Sequence, residues 1–211
     1  MKTKEFPVSI LEVIEKEMGY NASIRSISVL IPFDSVKFGR NCIELHNDII
    51  RKIYNNPKMK LGSQIVGNRS TQQILEKKGL AGPLKTFAFL TQKGAKSAGN
   101  STAWDLKSSV GEYVKQNHKG TGVSVYGVSA MNGYHSMLLT YRTRGGASEF
   151  SLLDQGPATS LITGRSTYHT ASEFDSSLEE YVRDRQGKRT KGGYEYPSNI
   201  QIYRLFPSKG K

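Results

Sequence analysis

Apolar positions recur at helical spacing most clearly in the segment that follows Asn41. They lie at i, i+3, i+4, i+7, i+8 and i+11, which places them on one face of a helix. The residues are Cys42, Leu45, His46, Ile49, Ile50 and Ile53. Asn41 suits the N-cap position, and Pro57 follows the last turn. The pattern predicts a helix over residues 42–54 that begins with Cys42.

Four other segments show a helical pattern. Pro7 suits a first helical turn, and Ser70 and Gln73 have the spacing of a capping box. Gly79 is a typical C-terminal stop. The predicted helices cover residues 7–18, 70–78, 102–116 and 175–184.

Short runs of alternating or apolar residues predict six strands. They cover residues 24–31, 84–90, 123–129, 134–142, 148–154 and 200–206. A Gly-rich stretch and a basic stretch are predicted as loops, over 94–102 and 185–193. Because helices come first and most strands then follow one another, the chain is predicted to be α+β, with an antiparallel sheet.

The length and composition of the chain suit one globular domain. Its 211 residues, 36% of them hydrophobic, are enough to bury a core. The sequence contains neither an internal repeat nor a recognisable linker. We therefore expect a single domain over 1–211, with a core over about 24–156 and a C-terminal helix and strand over 174–206.

The N-terminal segment does not have the pattern of a signal peptide. It is amphipathic and contains Glu12, Glu15 and Glu17, and no apolar run in the chain approaches the ~20 residues that span a bilayer. We expect a soluble protein without a cleavable signal and without membrane insertion. It would be cytoplasmic in the producing cell, or exported by a specialised secretion system.

Charge and cysteine content limit the partners and the chemistry. A net charge of +12 favours anionic partners such as nucleic acid, acidic lipid or a bacterial wall polymer. The single cysteine excludes an internal disulfide and a multi-cysteine zinc site. No cofactor and no metal are expected, and Cys42 is either a core residue or a reactive thiol.

Two of the predicted strands flank Gly145 and Gly146, which is typical of a β-hairpin. With the turn near Gly145, alternate residues of the two strands form one apolar face that ends in an imidazole and a carboxylate. The predicted cross-strand pairs are Leu139 with Phe150, Met137 with Leu152, and His135 with Asp154.

These residues suggest a catalytic triad. A helix N-terminus stabilises a thiolate, which suits Cys42 as a nucleophile. His135 would be its base, and Asp154 would orient the imidazole. A shift of one residue in the strand register would pair His135 with Gln155 instead of Asp154, and the Gln155 amide could also orient the imidazole. His46, one helical turn after Cys42, is interpreted as a core histidine because two candidate ligands do not make a metal site.

The order of cysteine helix, His strand and Asp strand resembles the papain-like cysteine hydrolase superfamily. The segment from Gly122 through Tyr134-His135-Ser136, followed by Leu153-Asp154-Gln155, is similar to bacterial secreted effectors, toxins and cell-wall amidases. The resemblance implies a papain-like core with the Cys42 helix packed on an antiparallel sheet. It also implies Cys42 as nucleophile, His135 as base and Asp154 as orienting residue. Residues 35–41 lack the Gln that many members of the superfamily use in the oxyanion site, and Asn41 is the candidate donor in its place.

The resemblance also implies partners and a reaction. The reaction is hydrolysis of an amide bond in a peptide, a target protein or peptidoglycan, by a thiol peptidase or amidase. An immunity protein or a secretion chaperone would accompany such an effector.

Two other hypotheses remain open. The first is a basic nucleic-acid-binding domain, because eleven tyrosines and the cations of 183–191 suit a polynucleotide. The second is a papain-like scaffold without catalysis. In both, Cys42 would be inert.

Overall fold

The computed structural model describes residues 5–14, 16, 42–62, 67–91, 104–130, 135–154, 164–189 and 199–208, and at His135 and Asp154 it describes the backbone alone. The predicted strand 24–31, the predicted loop 94–102, and Asn41 and Gln155 lie outside this part of the chain. Residues 10–14 are helical, within the predicted helix 7–18. The named helices are α1 Cys42–Ile53, α2 Gly67–Lys77, α3 Val110–Asn117 and α4 Ala171–Arg189.

Seven strands form the sheet that the described residues contain. They are β1 Lys85–Thr91, β2 Trp104–Leu106, β3 Ser124–Ala130, β4 His135–Arg144, β5 Ala147–Asp154, β6 Gly164–Tyr168 and β7 Asn199–Leu205. Their order across the sheet is β2-β1-β7-β3-β4-β5-β6, and every neighbouring pair is antiparallel. The predicted α+β class with an antiparallel sheet is confirmed. Within the described part, no helix is both long and apolar enough to cross a membrane.

Helix α1 packs on one face of the sheet, as predicted. Its inward residues Leu45, Ile49 and Ile50 are 3%, 1% and 0% exposed. They belong to a cluster with side chains from the sheet, from α2 and from the N-terminal segment, among them Val125, Leu138, Leu153, Leu205, Leu75 and Ile14. Burial of an aliphatic side chain stabilises a fold by about 1.5–3 kcal/mol, so this interface holds α1 firmly in place.

Helices α3 and α4 cover the opposite face. Val110 and Phe174 belong to a second buried cluster with sheet residues such as Tyr126, Met137, Leu139, Phe150 and Leu152. Asp175 of α4 joins the two helices, since its carboxylate accepts hydrogen bonds from the Ser109 hydroxyl and from Gly111 N, the latter at 2.9 Å. The sheet therefore has an apolar layer on each face.

A buried polar cluster attaches the N-terminal segment to the sheet. The carboxylate of Glu5 accepts from Lys119 N at 2.7 Å and from the Arg204 guanidinium at 3.1 Å, with His118 Nδ1 at 3.8 Å. Phe6 and Val123 exchange two backbone hydrogen bonds of 2.8 Å each. The segment is thereby fixed beside the start of β3.

The register of the β4–β5 hairpin differs from the predicted one by two residues. Leu139 pairs with Leu152 and Tyr141 pairs with Phe150. The cause is the turn: Gly145 and Gly146 both have positive φ, 57° and 83°, so both occupy the two-residue loop. The predicted register centred the loop one position too early.

The predicted helix 102–116 is wrong in its first half. Trp104–Leu106 forms β2 and pairs with β1 through Phe89↔Leu106. Ser109 caps α3, because its hydroxyl accepts from Glu112 N at 2.8 Å, and the helix begins at Val110. The cap therefore separates a strand from a helix where the periodicity suggested one continuous helix.

Neither β6 nor the start of α4 agrees with the elements predicted from the sequence. Gly164–Tyr168 is a polar strand at the edge of the sheet, where apolar alternation is not required. Helix α4 begins at Ala171, not at residue 175, because Thr170 and Glu173 form a capping box with two reciprocal hydrogen bonds of 3.1 Å. It continues to Arg189, into the predicted loop 185–193.

Removing the capping hydroxyl tests this account of α4. Thr170→Ala is expected to lower the free energy of unfolding by about 1 kcal/mol, since an N-cap hydroxyl contributes that much. Thermal and urea unfolding followed by circular dichroism measure the change. Thr170→Ser keeps the hydroxyl and should stay close to wild type; equal losses in the two variants would contradict the cap.

Candidate functional site

Cys42 is the first residue of α1 and is partly exposed. The first turn of a helix has N–H groups without intrahelical partners, and the helix dipole is positive there. Both features favour a thiolate over a thiol. Cys42 is therefore not the fully buried residue that an inert core cysteine would be.

The side chains of α1 show how the helix lies along the sheet. His46 Nε2 is 3.2 Å from the Tyr203 hydroxyl of β7. At the other end, the Tyr54 hydroxyl is 2.9 Å from the Phe206 carbonyl oxygen, just past the end of β7. Helix α1 thus runs in the same direction as β7, and its N-terminus points to the end of the sheet at which β7 begins.

The other two predicted triad positions lie at that same end. His135 begins β4 and pairs with Ala130, the last residue of β3, which also pairs with Ile200 near the start of β7. Asp154 is the last residue of β5, the antiparallel neighbour of β4. The structure therefore brings the start of α1, the start of β4 and the end of β5 to one end of the sheet.

Positions 135 and 154 do not lie on the face of the sheet that α1 covers. Position 135 alternates in β4 with Met137 and Leu139, which lie in the cluster under α3 and α4. Helix α1 packs on the other set, to which Leu138 belongs. Position 135 therefore lies on the face of the sheet opposite to α1.

The predicted direct pairing of His135 with Asp154 is corrected by the observed register. Leu138 pairs with Leu153, so one further step brings Asp154 level with Met137, two residues from position 135. The two positions still share a face, because a shift of two residues preserves the alternation. They are diagonal neighbours, whose Cβ atoms are typically ~7 Å apart, within reach of long side chains.

Buried hydroxyls on the α1 face lie level with Cys42. Ser129 and Ser136 pair with each other across β3 and β4 and are 2% and 3% exposed. Gly127 pairs with Leu138 and with Tyr203, and the two serines lie two residues further along their strands, toward the end at which β4 begins. On α1, Cys42 lies one turn before His46, which contacts Tyr203. Two strand residues and one helical turn span about the same length, so the serines and Cys42 are level with each other.

These hydroxyls have unused hydrogen-bonding capacity. Ser129 Oγ, Ser136 Oγ and His46 Nδ1 are buried and have no hydrogen-bond partner among the described residues. Buried polar atoms are nearly always hydrogen-bonded by the protein or by ordered water, so these three atoms offer hydrogen-bonding groups to a bound water or ligand. Neither serine could be predicted as a site residue, because serine in a strand has no sequence signal of its own.

His46 is a core histidine, as the sequence analysis interpreted it. It is 2% exposed, and burial lowers the pKa of its imidazole from 6.5 to about 4, so the ring is neutral at pH 7. The Tyr203 ring that it contacts lies over Gly127, where any Cβ would overlap the ring. In the described ranges, no group of three or more His, Cys, Asp and Glu residues is arranged to hold a metal ion.

Comparison with known proteins finds no matching family model and no matching curated protein. Among solved structures, the crystal structure of the Pseudomonas avirulence protein AvrPphB is similar, with 12% sequence identity and a TM-score of 0.34. The alignment covers 97% of this chain and 96% of that chain. The residues of the chain itself therefore have to support any functional assignment.

The buried neutral state of His46 predicts a loss of stability in acid. Below pH 6.5 the unfolded state binds a proton at this residue, and the folded state does not until about pH 4. The neutral His46 imidazole therefore makes its full contribution to the free energy of unfolding above pH 6.5. This contribution falls, by on the order of 3 kcal/mol, as the pH approaches 4. Urea unfolding measured at several pH values would show this slope.

His46→Gln should flatten that slope, and His169→Gln, at an exposed residue, should not change it. Some slope will remain in His46→Gln, because burial also lowers the pKa of His118. An unchanged slope in His46→Gln would contradict the neutral buried imidazole.

Proposed function

We propose that this chain is a papain-like cysteine hydrolase that cleaves an amide bond, with Cys42 as the nucleophile. The observation that supports this most is the meeting of the N-terminus of α1, the start of β4 and the end of β5 at one end of the sheet. His135 is the proposed base and Asp154 the proposed orienting carboxylate. A nucleophile, a base and an orienting group from three separate elements form the usual logic of such a site.

Three features of Cys42 favour a nucleophilic role. It is the only cysteine, it is partly exposed, and it opens a helix whose buried residues fix it against the sheet. Fixed N–H groups at the helix start would also stabilise an oxyanion without reorganisation.

In the proposed reaction, His135 accepts the proton of the Cys42 thiol, and the thiolate attacks the carbonyl carbon of the amide. The oxyanion collapses, the C–N bond breaks, and the imidazolium protonates the leaving amine. Water then gives a proton to His135 and attacks the thioester. The C–S bond breaks to release the acid, and the imidazolium returns the proton to Sγ.

The proposed substrates are peptide bonds of a target protein or the peptide crosslinks of peptidoglycan, as for a secreted effector. The net charge of +12 favours the anionic wall as the place of action. Such an enzyme would need no metal for this chemistry, because the thiolate and the imidazole supply nucleophile and acid.

The rate of alkylation of Cys42 by iodoacetamide tests the proposed pair. Between about pH 4 and about pH 9, the wild-type midpoint is expected well below the ~8.5 of an ordinary cysteine. His135→Ala should move it back toward ~8.5, because the imidazolium no longer stabilises the thiolate. Asp154→Ala should give an intermediate shift.

His46→Gln serves as the matched control, since it removes the histidine nearest to Cys42 along α1. It should leave the midpoint close to wild type. A midpoint that moves with His46 and not with His135 would assign the base to α1. A thiol that reacts only after denaturant is added would contradict the hydrolase altogether.

A further inference from the structure

Half of the net charge of the chain comes from one short stretch. Residues 51–80 contain seven lysines and arginines and a single acidic residue, so they contribute +6 of the total +12. The stretch includes the last turn of α1, the connection to α2 and the whole of α2. Four of the seven cations lie at the C-terminal ends of these two helices: Arg51, Lys52, Lys77 and Lys78.

Hydrogen bonds and one ring contact bring these segments together around Tyr54. Its hydroxyl donates a hydrogen bond that the Leu80 and Phe206 carbonyl oxygens are both positioned to accept, each at 2.9 Å. Arg51 Nε donates to the Met59 carbonyl oxygen at 3.0 Å, which folds the connection back onto α1. The Phe6 ring lies 6.2 Å from the Tyr54 ring. The end of α1, the connection, the end of α2 and the N-terminal segment therefore form one surface.

Five exposed lysines lie on this surface, which we call the lysine end: Lys52, Lys58, Lys60, Lys77 and Lys78. Each is within three residues of Tyr54, Met59 or Leu80. The acidic group in the stretch, Glu76, accepts a hydrogen bond from Gln72 at 2.6 Å. Arg51 forms an ion pair with Asp48 at 2.7 Å. The five lysines therefore outnumber Glu76, the single carboxylate of the stretch.

The lysine end is remote from the candidate site. Tyr54 lies at the Phe206 end of the sheet, whereas Cys42 lies at the end at which β4 and β7 begin. Binding at the lysine end would therefore leave the Cys42 end of the molecule accessible.

We propose that the lysine end binds the surface of an anionic phospholipid membrane. Lysine is a compact, flexible point charge that suits mobile, widely spaced headgroups. Val8 is 49% exposed and lies two residues from Phe6, whose ring contacts the Tyr54 ring. Each lysine close to an anionic membrane contributes about a fivefold increase in partitioning.

A polynucleotide fits this surface less well. Binding of single strands uses exposed aromatic rings on which bases stack. Among the described side chains, the exposed large hydrophobic residues are Val8 and Val13, and neither is aromatic. Tyr54 and Phe206 are only partly exposed, and the Tyr54 hydroxyl is used within the fold.

Co-sedimentation of the full chain with vesicles tests the proposal. The chain should bind vesicles of equimolar phosphatidylserine and phosphatidylcholine, should not bind pure phosphatidylcholine, and should dissociate as salt is added. The variant Lys52→Gln with Lys77→Gln should partition about twenty-fivefold more weakly, which is the product of two fivefold losses.

The control Lys107→Gln with Lys115→Gln removes the same charge from exposed lysines next to α3, on the other face of the sheet. It should bind nearly as well as wild type. Equal weakening in the two double variants would mean that total charge, not the lysine end, drives binding, and would overturn the proposal. So would a chain that binds duplex or single-stranded DNA at a salt concentration at which it ignores the anionic vesicles.

Discussion

The packing of α1 against the antiparallel sheet is the contact on which the candidate site depends. Leu45, Ile49 and Ile50 are almost completely buried in it, and their burial fixes the helix in rotation and in position along β7. Cys42 is the first residue of this helix. Its place at the end of the sheet follows from residues one and two turns further along the same helix.

Polar contacts at the two ends of α1 set its direction. The His46–Tyr203 contact and the Tyr54–Phe206 hydrogen bond join the helix to β7 at two points that are two turns apart. Apolar packing alone is non-directional, whereas hydrogen bonds require particular atoms to meet. The start of α1 with Cys42, which we call the cysteine end, and the lysine end therefore lie at opposite ends of α1. The proposed chemistry and the proposed membrane contact use different parts of the surface.

At the cysteine end, a fully paired sheet carries several buried polar atoms. The sheet beneath it is a closely paired β3–β4–β7 array, yet Ser129 Oγ, Ser136 Oγ and His46 Nδ1 are buried there without partners among the described residues. Such groups are ordinarily hydrogen-bonded by the protein or by ordered water, so a bound water or a substrate would meet hydrogen-bonding groups here.

The sequence by itself determined the elements whose signals are local. The stripe from Cys42 to Ile53 predicted α1, and alternation predicted β3, β4, β5 and β7 to within a residue or two, because each pattern repeats with the period of its own backbone. It also determined the inward set Met137, Leu139, Phe150 and Leu152, since even a register shift of two residues keeps each side chain on its face. The Thr170–Glu173 capping box was present in the sequence as a signal but was not used.

The tertiary structure decided what depends on contacts between distant segments. The hairpin register followed from both glycines entering the loop, and β2 and β6 formed because neighbouring strands offered unpaired edges to polar or short sequences. Only the fold showed that α1 packs on the face opposite to positions 135 and 154, and that two serines lie level with Cys42. No local periodicity encodes these relations, because the relative placement of a helix and a sheet depends on which apolar faces meet and on how the side chains between them pack.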